Sequence, residues 1–264
     1  MGPPPPATVV IAVCSGKGGV GKSTVALNLA VAFGLDGARV GLLDADVHAP
    51  DIPLMVGLRR TAPSTGWTLS RAGGGTALEP VERYGIKVMS SGFIVSEDQA
   101  VVLTAGLAGA LLTQLIWSTR WGTLDYLVID LPPGTSDVVQ ETFRLLPSAA
   151  AVVVVTPQDV AHLDNRRVLA ALAMAGVTPL GGIENMGALT CPCCDTQLEV
   201  FPRVAHERSV WAAGLARLGS VPMGVVAPDG SGGTEPVVAT APTSARGIAL
   251  REAAAAVRQA ATQR

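Results

Sequence analysis

The sequence predicts a doubly wound α/β protein, with a mostly parallel sheet and helices on both of its faces. Three observations predict it. Runs such as "TVVIAV" and "AAAVVVVTPQ" are apolar at nearly every position instead of alternating, as strands buried on both faces must be. Longer Ala/Leu segments separate these runs and read as the helices that join parallel strands. The Gly-rich stretch "CSGKGGVGKST" follows the first apolar run directly and opens the first helical pattern. With 264 residues, 48% of them hydrophobic, and a formal net charge of -2, the chain is long enough for a large core and carries no charge excess. A soluble globular protein of one large domain is therefore expected.

The elements follow in order. "TVVIAV" is the first strand, "KSTVALNLAVAFGLDG" the first helix, and "ARVGLLDAD" a strand that ends in acid. From Leu58 to Arg83 the sequence lacks periodicity and contains "RAGGGTALEP", which reads as a mobile surface excursion. "YGIKVMSSG" is a strand, "SSGFIVSEDQ" is irregular, and "LAGALLTQLIWSTRWG" is helical. "LDYLVIDLPPG" and "AAAVVVVTPQ" are strands, "NRRVLAALAMAG" a helix, and "TPLGGIENMG" and "RLGSVPM" further strands. Ser244 is placed to cap a final helix through "ARGIALREAAAAVRQAATQ". No internal repeat is present.

Several classes are disfavoured. No apolar run reaches the roughly 18 to 20 residues of a membrane span, and "MGPPPPATVV" lacks the basic and apolar regions of a signal peptide. A cytoplasmic location with no membrane partner is expected. Near-neutral charge argues against a nucleic-acid partner.

Gly16, Gly21, Lys22 and Ser23 fit G-x-x-x-x-G-K-S between a strand and a helix, which is the setting of a phosphate-binding loop. Glycines let the backbone curl so that successive N–H groups face phosphate oxygens, and the helix N-terminus adds partial positive charge. The expected nucleotide-binding set is Gly16, Gly18, Gly19, Val20, Gly21, Lys22, Ser23 and Thr24, with Lys22 on the terminal phosphates and Ser23 on magnesium. Lys17 also stands in this loop, so two of the three lysines in a chain that otherwise uses arginine fall here. A compact ammonium on a flexible stem suits a crowded phosphate site better than a planar guanidinium. Carboxylates for magnesium and water are offered by Asp44 and Asp46 in "GLLDADVHAPDIP" and by Asp130 at the end of "YLVID". Either place alone is equally a helix cap or a turn.

Three of the four cysteines, Cys191, Cys193 and Cys194, fall in "CPCC". By residue type they fit an iron-sulfur cluster, structural zinc, a redox dithiol or inert surface thiols. Cys14 ends an apolar strand and reads as a small buried residue. His48, His162 and His206 show no ligand spacing.

The loop with its early lysine resembles the deviant Walker A motif of ParA/MinD-type ATPases. "DADVHAPDIP", "WGTLDYLVIDLPPGTSDV", "TPQDVAHLDNRRVL", "IENMGALTCPCC" and "GSVPM" narrow the match to the Mrp/ApbC family of iron-sulfur cluster carrier ATPases. The resemblance runs from about Ala7 onward and implies a P-loop NTPase fold of the SIMIBI type over residues 8–264, after a flexible Pro-rich stretch over 1–7. It implies ATP and magnesium as cofactors, slow hydrolysis, and a nucleotide sandwich homodimer in which Lys17 reaches the partner's nucleotide. Asp46 is then the switch I residue acting on water, with Asp44 and Asp130 at the metal and Gly134 offering its amide to the terminal phosphate. Asn185 and Pro222 are the base-contacting positions, and Cys191 and Cys194 bridge a 4Fe-4S cluster between two subunits. The implied partners are a cluster donor and apo iron-sulfur proteins. A ParA/MinD-type positioning switch and a zinc-bridged regulatory ATPase are the alternatives. The chain departs from the family pattern at Ala49, Pro202 and Cys193, and in reading "AVVLTAGLAGALL" where relatives carry Trp-Arg-Gly.

Overall fold

Strands that are apolar on every residue need cover on both faces, and the computed structural model gives it to them. It describes residues 4–58, 69–70, 77–93, 104–191, 193–194, 196–202, 204–224 and 235–263. The strands are β1 (Val9–Cys14), β2 (Val40–Asp44), β3 (Leu69–Ser70), β4 (Ala77–Leu78), β5 (Val81–Arg83), β6 (Ile86–Ser90), β7 (Tyr126–Asp130), β8 (Ala150–Val155), β9 (Pro179–Thr190), β10 (Gln197–Leu198) and β11 (Arg217–Met223). The helices are α1 (Lys22–Leu35), α2 (Ile52–Met55), α3 (Ala105–Trp117), α4 (Asp137–Leu145), α5 (Asp159–Met174), α6 (Val237–Thr240) and α7 (Ala245–Thr262). The main sheet runs β10-β9-β8-β1-β7-β2-β6-β5, with β11 also on β9. Its pairs are parallel except for β5 on β6 and β10 on β9.

The two-residue period of a strand divides the core in two. Val10, Ala12 and Cys14 of β1 face the layer that includes Leu112 and Leu115 of α3 and Phe143 of α4. Ile11 and Val13 face the layer that includes Leu27 and Phe33 of α1 and Leu250 and Val257 of α7. Ser244 caps α7 as expected, its Oγ accepting the Gly247 N–H at 3.1 Å. No helix among the described residues is long and apolar enough to cross a membrane.

The excursion expected from Leu58 to Arg83 needs correction where it is described. Residues 59–68 and 71–76 lie outside the described residues. β3 pairs with β4, and β5 turns back on β6 as the edge strand of the main sheet. Leu78 is 1% exposed, so this segment feeds the core. The irregular "SSGFIVSEDQ" begins with Ser90 of β6 and a 3-10 turn over Ser91–Phe93; residues 94–103 lie outside the described residues.

Candidate nucleotide site and cysteine hairpin

Parallel pairing brings the carboxyl ends of several strands to one side. Asp44 of β2 is in register with Asp130 of β7, and Val13 of β1 is also opposite Asp130. The loop after β1 therefore emerges beside two buried carboxylates. A cleft of about 580 Å³ opens there, lined by Lys17, Gly21, Lys22, Ser23, Asp46 and Met186 among others.

The loop is held from several directions. The Gly16 N–H donates to Asn165 Oδ1 at 2.8 Å, and the Asn165 amide donates to the Val154 and Ala161 carbonyls. A Cβ on Gly16 would lie 2.4 Å from the Asp164 carbonyl carbon, so glycine is needed for close approach to α5. Gly21 has φ +80, and a Cβ there would lie 2.2 Å from Asn185 Nδ2. That nitrogen donates to the Val20 carbonyl at 2.8 Å. Val221 of β11 is opposite Asn185, which places Pro222 beside the same end of β9. Lys17 Nζ donates to Gln158 Oε1 at 3.1 Å, at the entrance to α5.

Lys22 Nζ donates to Asp130 Oδ1 at 2.7 Å, with both side chains buried. Among the described residues, Asp130 Oδ2 is buried without a hydrogen-bond partner. Burial pushes Asp130 above the ordinary carboxylate range, against the pull of Lys22. Burial and then Asp130 push Asp44 well above it, against the Ser90 hydroxyl and Lys22. Lys22 bonds to Asp130 and lies near enough to act on the charge of Asp44, and an oxygen-seeking divalent cation fits the Asp130 oxygen that Lys22 leaves open. Gly134, at φ +80, donates its N–H to the Ser15 carbonyl at 2.8 Å, so in this conformation its amide serves the loop and not a phosphate.

The sequence reading missed three groups. Asn165 and Gln158 are joined to the loop only by the fold. Met186 lines the cleft at φ +62, a conformation bulky side chains adopt at a cost of roughly 1–3 kcal/mol and that tends to mark functional sites. The sequence "ENMG" offers no signal of that conformation.

Beyond Met186, β9 continues into the cysteine hairpin. The Cys191 N–H donates to the Thr196 carbonyl at 2.9 Å, which closes the turn into β10. Cys191 is half-buried and Cys193 and Cys194 are exposed, all with free thiols. Cys194 Sγ donates to Thr196 Oγ1 at 3.3 Å. The Thr196 hydroxyl and amide, then Cys191, pull the Cys194 thiol below its usual range. Among the described residues, no three His, Cys, Asp or Glu side chains converge as a metal site. Cys14 is buried and donates to the Val152 carbonyl, and burial pushes its thiol up to about 12.

Residues 7–258 match the ParA family, described as "NUBPL iron-transfer P-loop NTPase". The iron-sulfur cluster carrier protein of Synechocystis is 40% identical over 242 residues, covering 91% of this chain and 67% of the relative. That of Aquifex aeolicus is 41% identical over 236 residues, covering 89% of this chain and 63% of the relative. The chain thus spans about two thirds of the length of these relatives. Among solved structures, a nucleotide-binding protein from Archaeoglobus fulgidus in complex with ADP is 33% identical, with a TM-score of 0.69 and 83% of each chain covered.

Proposed function

The chain belongs to the ParA-type P-loop NTPases of the NUBPL and Mrp/ApbC iron-transfer group, and from that premise we propose that it is an ATP-dependent iron-sulfur cluster carrier. The observation that carries this reading is the placement of two chemically different sites on one strand. Asn185 of β9 packs on the phosphate loop, and Cys191 follows directly after the end of β9.

In this reading residues 8–264 act as one P-loop ATPase domain. Gly16, Gly18, Gly19, Val20, Gly21, Lys22, Ser23 and Thr24 hold the phosphates of ATP. Asn185 and Pro222 border the base, and Gly134 turns its amide to the terminal phosphate when nucleotide is bound. Ser23 and Asp130 hold magnesium, with Asp44 beside them; bound there, the ion neutralises charge on the phosphates. Asp46 orients the attacking water at the cleft rim, and hydrolysis is slow. Lys17 leaves Gln158 and reaches the nucleotide of a second copy, giving a sandwich homodimer. The cluster is cargo: Cys191 and Cys194 from each of two copies supply about four thiolates, the number a 4Fe-4S cubane takes. A donor loads it, apo-proteins receive it, and the setting is the cytoplasm.

The positioning-switch alternative calls for a C-terminal amphipathic basic helix or a basic dimer surface. α7 packs Leu250, Ala253 and Val257 into the core and pairs Arg258 with Asp36, so this helix does not supply the first of these. Transfer is the test. Protein reconstituted anaerobically with iron and sulfide is mixed with an apo 4Fe-4S dehydratase, and the recipient's activity should return. A protein that takes up zinc but no iron and sulfide would leave the zinc-bridged reading in its place.

A further inference from the structure

We propose that the turn Ser90–Gly92 is a seat for the loop 45–52, and that Ser90 is a positioning residue that acts through Asp44 to place Asp46. The inference rests on the ATPase reading above and concerns how that site is held ready.

Ser90 ends β6 opposite Asp44 of β2 and is fully buried. Its hydroxyl donates to Asp44 Oδ2 at 2.9 Å and accepts the Gly92 N–H at 3.0 Å. Both functions of a serine hydroxyl are therefore in use, one toward the carboxylate and one toward the seat's own backbone. Asp44 in turn grips the loop at both ends. Its Oδ1 accepts the Asp46 N–H at 3.2 Å and its Oδ2 accepts the Ile52 N–H at 3.3 Å. One carboxylate thus fixes the start and finish of the segment that carries Asp46, and Ser90 fixes the rotation of that carboxylate. With three donors on its two oxygens, Asp44 is built as an anchor. The unpartnered Oδ2 of Asp130 is the oxygen free for a cation.

A second observation, independent of these hydrogen bonds, points to the same contact. A Cβ built on Gly92 would lie 3.0 Å from both Pro50 Cγ and Pro53 Cγ. The seat's backbone is therefore pressed against Pro50 of the loop and Pro53 in the first turn of α2, and the Pro50 ring restricts the loop's conformations further. Asp46 then projects into the cleft, its Oδ1 accepting the Ala49 N–H at 3.3 Å. A catalytic carboxylate on a loop loses rate when the loop wanders, because only one geometry places the water in line.

The test compares Ser90→Ala, Ser90→Thr and Gly92→Ala in the full chain, with Asp46→Ala as the reference for lost chemistry. Steady-state kcat and KM for MgATP are measured beside equilibrium binding of a fluorescent ATP analogue. Ser90→Ala should lower kcat roughly 10- to 100-fold, the range for a supporting partner of a site ligand, and leave nucleotide affinity near that of the wild type. Ser90→Thr, which keeps donor and acceptor, should recover most of the turnover. Gly92→Ala should repeat the loss in kcat by displacing the prolines, and it stands in if Ser90→Ala fails to fold. Wild-type kcat in Ser90→Ala beside a dead Asp46→Ala would overturn the seat alone. Equal losses of turnover and affinity would reduce Ser90 to a structural role and also overturn it. If the wild type shows no MgATP turnover that Asp46→Ala abolishes, the ATPase reading falls and the seat with it.

Discussion

Around the phosphate loop several polar groups are matched within one chain, Lys22 with Asp130, Gly16 with Asn165, Val20 with Asn185 and Lys17 with Gln158. Roughly 20 Å further along β9, at a strand's rise per residue, the cysteine hairpin is secured by the Thr196 contacts and short β10 pairing, and two of its thiols face solvent. The first region has its backbone held in place by contacts within the chain, so nucleotide binding has to redirect only a few groups, the Lys17 side chain and the Gly134 amide among them. The second presents fewer thiols than a cubane takes, and in the proposed function its chemistry is completed by another copy. A carrier has use for that difference, since a cargo held only at an exposed hairpin can be released without disturbing the core.

The comparison is broken most severely at Lys22. Lys22→Ala leaves Asp130 buried without its cation, which should cost roughly 3–5 kcal/mol in urea unfolding and remove ATP binding. Lys17→Ala removes only a contact at the loop's rim. It should keep the fold and much of the nucleotide affinity while losing ATP-dependent dimerisation, measured by sedimentation, and turnover. Wild-type turnover in Lys17→Ala would rule out its reach to a second copy. A smaller effect is expected from Asn165→Ala, which frees the Gly16 amide and leaves two buried carbonyls short of a donor. The expected loss is roughly 1–3 kcal/mol in the same unfolding experiment, together with weaker ATP binding.

What the sequence disclosed follows the same division. The doubly wound sheet was legible because strands buried on both faces are written as contiguous apolar runs. The phosphate loop was legible because its glycines, lysine and serine are neighbours in the chain. Asn165 could not be read as its support, since it stands 149 residues away and looks like an ordinary helix position. Ser90 is likewise 46 residues from Asp44, the side chain it holds. The β5–β6 hairpin did leave a signal that the aperiodic reading passed over. In "VERYGIKV" two runs flank Tyr84 and Gly85, and their φ values of +49 and +74 are those of a two-residue hairpin turn. Tyrosine is an uncommon residue for that turn, which hid it. The spacing of Cys191 and Cys194 was visible, but which metal they serve depends on a neighbour that one chain does not contain.

The central claim is that two copies share one iron-sulfur cluster through Cys191 and Cys194. It is tested most directly by iron and sulfide content per two chains after anaerobic reconstitution of the wild type and of Cys191→Ser, Cys193→Ser and Cys194→Ser. Wild type and Cys193→Ser should each hold about four iron and four sulfide in a dimer, because the outer pair already supplies every ligand a cubane takes. Cys191→Ser and Cys194→Ser should hold none while still folding and binding ATP, as expected for a hairpin set apart from the phosphate loop. Loss of the cluster in Cys193→Ser with its retention in Cys191→Ser would contradict the account, as would a full cluster on a single chain.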